Sequence, residues 1–174
     1  LSKVYIGSGL TGIGRETFSG SKGMSVFLCK SKPTKIGKYA FNGMSAGSNG
    51  ISEYELDLSQ VIRFEELAFN SAAFLRELVL NENVEFIGSE AFVNCSNMNG
   101  SIIIPQDCVV SYRCFNGTNL DRVIIRVKEG ETFNAPVEMF SGAYGTLTVI
   151  FDGPALADKY FFSGRSNDYK THVH

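Results

Sequence analysis

The sequence predicts a solenoid, a curved parallel sheet with one short strand per coil of about 23 residues, its opposite side mostly loops, turns and short helical segments. Three observations predict it. Phenylalanines recur at positions 18, 41, 69, 92, 115, 140 and 161, separated by 23, 28, 23, 23, 25 and 21 residues. Five residues before each stands an apolar residue, Ile13, Ile36, Phe64, Ile87, Val110, Ala135 or Leu156. Two residues after each comes a turn former, Gly20, Gly43, Ser71, Asn94, Gly117, Gly142 or Ser163, of the kind a left-handed backbone position tolerates.

The strand of each coil precedes the apolar position. Leu75, Leu78 and Leu80 show the alternation most clearly, and Leu1, Val4 and Ile6 match it, as do Met24, Phe27 and Cys29. Looser versions run through Leu56 and Leu58, Met98 with Ile102 and Ile104, Leu120 with Val123 and Ile125, and Leu147 with Val149. A unit this short leaves no room for a hairpin partner. Strands of successive coils must therefore pair in parallel.

Strand, then Ile-Gly-x-x-Ala-Phe, then a turn with Asn-Cys-Ser is similar to the BspA-type leucine-rich repeat. The nearest copies are Ile36-Gly37-Lys38-Tyr39-Ala40-Phe41 and Ile87-Gly88-Ser89-Glu90-Ala91-Phe92, with Cys95 and Ser96 in the turn and Pro105 after a strand. The resemblance covers nearly the whole chain. It weakens toward the C-terminus, where the alanine slot holds Cys114, Met139 and Tyr160 and the glycine slot Ser111, Pro136 and Ala157. It implies an α/β-type leucine-rich repeat solenoid of about seven coils over residues 1–163, with residues 164–174 as a polar tail or cap. It also implies a non-catalytic protein-binding module of a cell-surface or secreted protein.

Composition narrows the function classes. Sixteen basic against eighteen acidic residues give a net charge of −2 with no basic run, so nucleic acid is not an expected partner. No apolar stretch approaches the roughly 18 residues of a membrane span, and no signal-like leader opens the chain. Leu1 already lies within a strand pattern without a polar cap, so either a preceding coil or a neighbour is expected to cover that edge. The four cysteines, Cys29, Cys95, Cys108 and Cys114, lack Cys-x-x-Cys spacing and read as small buried hydrophobes.

Between Phe41 and Phe69 the coil is five residues longer than the 23-residue norm, and the excess falls in the Gly- and Ser-rich stretch 43–50. This predicts a loop, either a tolerated insertion or a recognition element. Glu53, Glu55 and Asp57 then alternate with apolar residues; they read as a solvated face, lacking the ligand density of a calcium site. Asn116-Gly117-Thr118 is an acceptor sequon whose asparagine already has a structural place at the turn.

No catalytic residue, cofactor motif or metal motif stands out. Both histidines, His172 and His174, lie at the extreme C-terminus, and phosphate-loop and dinucleotide glycine patterns are missing. A carboxylate-based enzyme is the weakest reading, and a spacer segment of a larger surface protein a stronger one. The preferred reading is a binding module. In each strand the residue between the last two core positions faces outward: Tyr5, Leu28, Asp57, Val79, Ile103, Ile124 and Ile150. Stacked in parallel they form one column, six of the seven apolar or aromatic, rimmed by Lys3, Glu55, Glu77 and Arg122. This column is the expected surface for a protein partner, such as a host surface or matrix protein, or for self-association.

Overall fold

The computed structural model describes residues 1–46, 48, 50–142, 146–156 and, for the backbone, 170–173. Strands alternate between two kinds. The longer ones are β1 (Lys3–Ile6), β3 (Val26–Cys29), β5 (Glu53–Leu56), β8 (Asn99–Ile104), β10 (Asn119–Arg126), β12 (Thr148–Asp152) and β14 (Lys170–Val173). Two-residue strands lie between them: β2 (Gly12–Ile13), β4 (Lys35–Ile36), β6 (Arg63–Phe64), β7 (Phe86–Ile87), β9 (Val109–Val110), β11 (Phe133–Asn134) and β13 (Ala155–Leu156).

Every pairing between these strands is parallel. The longer strands form a three-stranded sheet, β1-β3-β5, and a four-stranded sheet, β14-β12-β10-β8. The short ones form a second wall, β2-β4-β6-β7-β9, continued by β11-β13. The chain is therefore a parallel solenoid with the predicted spacing. Its coils touch the neighbouring coil along two ladders, where the sequence pattern had revealed one.

Phenylalanine stacking fills the interior. Phe41, Phe69, Phe92, Phe115 and Phe140 are fully buried, and Phe18 in the first coil is 7% exposed. Successive rings stand 5.3, 4.7, 5.4, 5.4 and 5.7 Å apart, centroid to centroid, all in stacked orientation. Phe161 lies outside the described residues. The inward apolar slot holds through Ile13, Ile36, Phe64 and Ile87, then loosens at Val110 and Ala135, and Leu156 is largely exposed.

Short helical segments were expected opposite the longer strands, but no helix occurs among the described residues. The backbone there turns left-handed twice per coil. The predicted turn formers Gly20, Gly43, Ser71, Asn94, Gly117 and Gly142 all have φ between 57° and 72°. Two residues before each phenylalanine, Glu16, Tyr39, Leu67, Glu90, Arg113 and Glu138 also have φ of 52° to 58°. Two left-handed residues within five positions forbid a helix. Their strain is held by bonds to the next coil. The N–H groups of Tyr39, Phe41 and Gly43 donate to the carbonyls of Glu66, Ala68 and Asn70 at 3.1, 2.7 and 2.7 Å, and the pattern repeats from coil to coil.

The glycine of Ile-Gly-x-x-Ala-Phe has a different cause. A Cβ on Gly37 would stand 2.6 Å from the Gly14 carbonyl carbon, and one on Gly88 2.6 Å from the Glu66 nitrogen. Neighbouring coils approach backbone to backbone at that point. The sequon is likewise structural: Asn116 and Thr118 are buried, and the Asn116 Nδ2 donates to Ser141 Oγ.

Two sequence expectations need correction. Tyr5 pairs with Leu28 and Leu28 with Glu55, so Glu55 takes the place in the outward column that was expected for Asp57, and it leaves the rim. The Leu75–Leu80 segment, whose alternation was clearest, forms no strand at all. The first has its cause in the alternation itself, which reads alike when shifted by two residues; the second follows the long third coil, beyond which β5 is the last strand of its sheet.

Candidate functional site

The outward column exists in two pieces. In the four-stranded sheet Ile103, Ile124 and Ile150 stand side by side in register, with His172 of β14 as the next backbone partner. Tyr5, Leu28 and Glu55 form the other piece, and Val79 lies between the two sheets. Val79 is 71% exposed, Tyr5 67% and Ile103 44%. Leu28, Ile124 and Ile150 are half-buried by their neighbours. The solvent-open apolar side chains thus fall one in each piece of the column and one between them. Arg122 remains at the rim, paired in register with Ser101 and Thr148.

Where the sheet parts, a cleft of about 870 Å³ opens between β5 and residues 73–79. The insertion contributes Ala46 and Gly50 to its wall, and Ile51 and Ser52 continue it toward β5. Its floor is aromatic: Tyr54 and Phe74 lie 5.5 Å apart, centroid to centroid. Phe74 also packs on Phe41 at 5.8 Å and Phe69 at 6.3 Å, so its ring sits between the two coils. The flanking coils carry Ala46 and Asn97 at the equivalent place, five residues after the phenylalanine. A ring there, added to five extra residues in the third coil, holds the strands apart while the turn ladder behind them stays closed. The Asn81 Nδ2 donates to the Ser59 carbonyl at 2.8 Å and ties one end of the cleft.

Charge around the cleft is partly compensated. Lys30 bridges Glu55, and the Lys32 Nζ stands 2.9 Å from Asp57 Oδ2. Hydrogen bonds from Ser59, followed by that from Lys32, hold the Asp57 carboxyl down at about 2. The three acidic residues of the 53–57 stretch thus do not converge on one point. Among the described residues no cluster of three His, Cys, Asp or Glu side chains could hold a metal ion. No helix among them is long and apolar enough to cross a membrane.

The sequence reading missed the cleft. Its signals were the 28-residue coil and the additional phenylalanine at position 74, neither of which gives a distance between strands.

Parallel coils on a stacked aromatic core define a repeat solenoid. The chain belongs to the BspA type leucine rich repeat family: six copies of that repeat match over residues 1–121. No curated protein and no solved structure matches it. The match ends within β10, whereas the parallel ladder continues through β12 and β14. The poorer motif of the later coils therefore still supports the same architecture.

Proposed function

We propose that this chain is a non-catalytic protein-binding scaffold of a cell-surface or secreted protein, used for adhesion or protein–protein interaction. The observation that carries the reading is the Ile103, Ile124 and Ile150 row, three isoleucines in register facing away from the core. Spare strand propensity explains one such residue; three abreast, with an exposed Val79 in the preceding coil, resemble the apolar centre of an interface inside a charged rim.

The test is a double substitution, Ile103→Lys with Ile124→Lys, assayed against a panel of purified host surface and matrix proteins and for self-association by sedimentation. Lysine stems can lie along the sheet while their ammonium groups reach water, so folding should survive. Loss of about 2 kcal/mol or more of binding to whichever partner the parent chain engages is the expected result. Unchanged binding by a folded double variant would remove the isoleucine row as the contact surface.

A further inference from the structure

We propose that the cleft between β5 and residues 73–79 is a strand-addition site for an extended, basic and apolar segment of a partner protein. The proposal deepens the protein-binding reading, but it rests on backbone groups and residues outside the isoleucine row.

The backbone of β5 is open on the cleft side. It is the last strand of its sheet, paired only with β3. Val26 donates to Ser2 and Lys30 to Ile6, so Val26, Leu28 and Lys30 turn their backbone groups to β1, and Phe27, opposite Tyr54, turns its own to β5. Successive residues of a parallel strand turn their N–H and C=O groups to alternate sides. Glu53 and Glu55 thus face β3, while the N–H and C=O of Tyr54 and Leu56 face the cleft. Among the described residues these groups have no backbone partner there. The opposite wall is open as well: the Asn99 N–H donates to the Arg76 carbonyl at 2.9 Å and the Asn97 Nδ2 to the Ala73 carbonyl at 2.6 Å, but among the described residues no backbone–backbone bond involves Glu77, Leu78, Val79 or Leu80. An extended peptide is the ligand that satisfies a row of strand-edge donors and acceptors, and its alternate side chains would rest on Tyr54 and Phe74.

Charge sets the chemistry of that peptide. Glu77 lines the cleft and Glu53 stands at the equivalent position of β5, between the lining residues Ser52 and Tyr54; each is one residue ahead of an apolar position, and both are exposed. Among the described residues neither makes an ion pair or a side-chain hydrogen bond, whereas Glu55 and Asp57 are bridged by lysines. Arg76 offsets only one of the two free carboxylates. A lysine or arginine side chain over the cleft fits between them. The volume of about 870 Å³ falls within the range of ligand sites, about 300 to 1,000 Å³.

The probe is a synthetic octapeptide of alternating valine and threonine with lysine at both ends and one at the centre, titrated into the full chain and followed by amide hydrogen exchange. Saturable binding with exchange slowed about tenfold or more at Tyr54 and Leu56 is expected, a change of about 1.4 kcal/mol in the opening equilibrium. The same peptide with a central proline should bind at least about tenfold more weakly, since proline removes a ladder donor. Glu53→Gln with Glu77→Gln should weaken the lysine peptide without shifting the melting temperature, and Ile103→Lys with Ile124→Lys should leave peptide binding intact. No saturable binding up to about 1 mM, equal binding of the proline peptide, or protection confined to other strands would overturn the proposal. Protection of Tyr54 and Leu56 that instead rises with protein concentration in the absence of peptide would assign the cleft to a second copy of the chain, and would overturn it too. Peptide failure with loss of partner binding in the isoleucine variant would remove the cleft and leave the wider reading standing.

Discussion

The rings of Phe69 and Phe92 lie 5.4 Å apart and within 8° of parallel, one from each of two successive coils, and both are fully buried. That contact is the repeating link of the core, because each coil packs only on its neighbours. Replacing Phe92 by alanine leaves a cavity flanked by Phe69, Phe64 and Phe115 and should cost about 3 to 5 kcal/mol. Phe18→Ala in the first coil, flanked on one side only, should cost clearly less. Denaturant unfolding of both variants measures the difference, and equal losses would contradict the stacked arrangement.

Gly88→Ala places a methyl 2.6 Å from the backbone nitrogen of Glu66, where the neighbouring coil cannot retreat without breaking the turn ladder. A loss of about 1 to 3 kcal/mol should follow. Gly117→Ala combines a φ of +72° with a 2.6 Å approach to Asn94 Oδ1, and should cost at least about 1 kcal/mol. Gly7→Ala meets nothing within 4 Å and serves as the control. Thermal melting of the three orders them.

All four cysteines are free and buried, and burial pushes the thiols of Cys95 and Cys108 up to about 12 and that of Cys114 higher still. The Cys95 thiol also donates to the Phe69 carbonyl at 3.0 Å. Only the thiolate reacts readily, so labelling at pH 8 should be slow without denaturant and complete with it. Rapid labelling of the native chain would place these residues outside the core.

Asp57 ties the end of β5 to the preceding coil through Lys32. Its folded pKa is depressed from 3.8 to about 2, so the stabilisation is fully present above about pH 4 and is lost as pH falls through about 2. The pair is exposed to water, which limits the gain to no more than about 1 kcal/mol. Stability of Asp57→Asn against the parent should differ above about pH 4 and converge by about pH 2. A difference that grows on acidification would carry the wrong sign for this account.

Repetition made most of the fold legible, since the phenylalanine spacing encodes the coil and the turn formers two residues later encode one left-handed corner. The other corner was hidden. It is occupied by Glu16, Tyr39, Leu67, Glu90, Arg113 and Glu138, and bonds between coils rather than glycine hold it there. The slip from Glu55 to Asp57 has a simple cause: an alternating pattern looks the same when shifted by two residues, and Leu56 with Leu58 alternates as well as Tyr54 with Leu56. The cleft was illegible for a different reason. It depends on the distance between two coils, which Phe74 and the insertion set together and which no pattern within one coil contains.

The central structural claim is that the sheet parts between the third and fourth coils while the turn ladder behind it stays closed. Native-state amide hydrogen exchange of the free chain tests this most directly. The account predicts fast exchange at Tyr54, Leu56 and Val79, whose amides have no partner among the described residues, and strong protection at Phe41, Phe69 and Ser71, whose amides donate to Ala68, Ala91 and Val93 at 2.7, 2.7 and 2.8 Å. Protection of Tyr54, Leu56 and Val79 equal to that of the turn amides, independent of protein concentration, would mean that β5 and the fourth coil are paired in solution, and it would contradict the account.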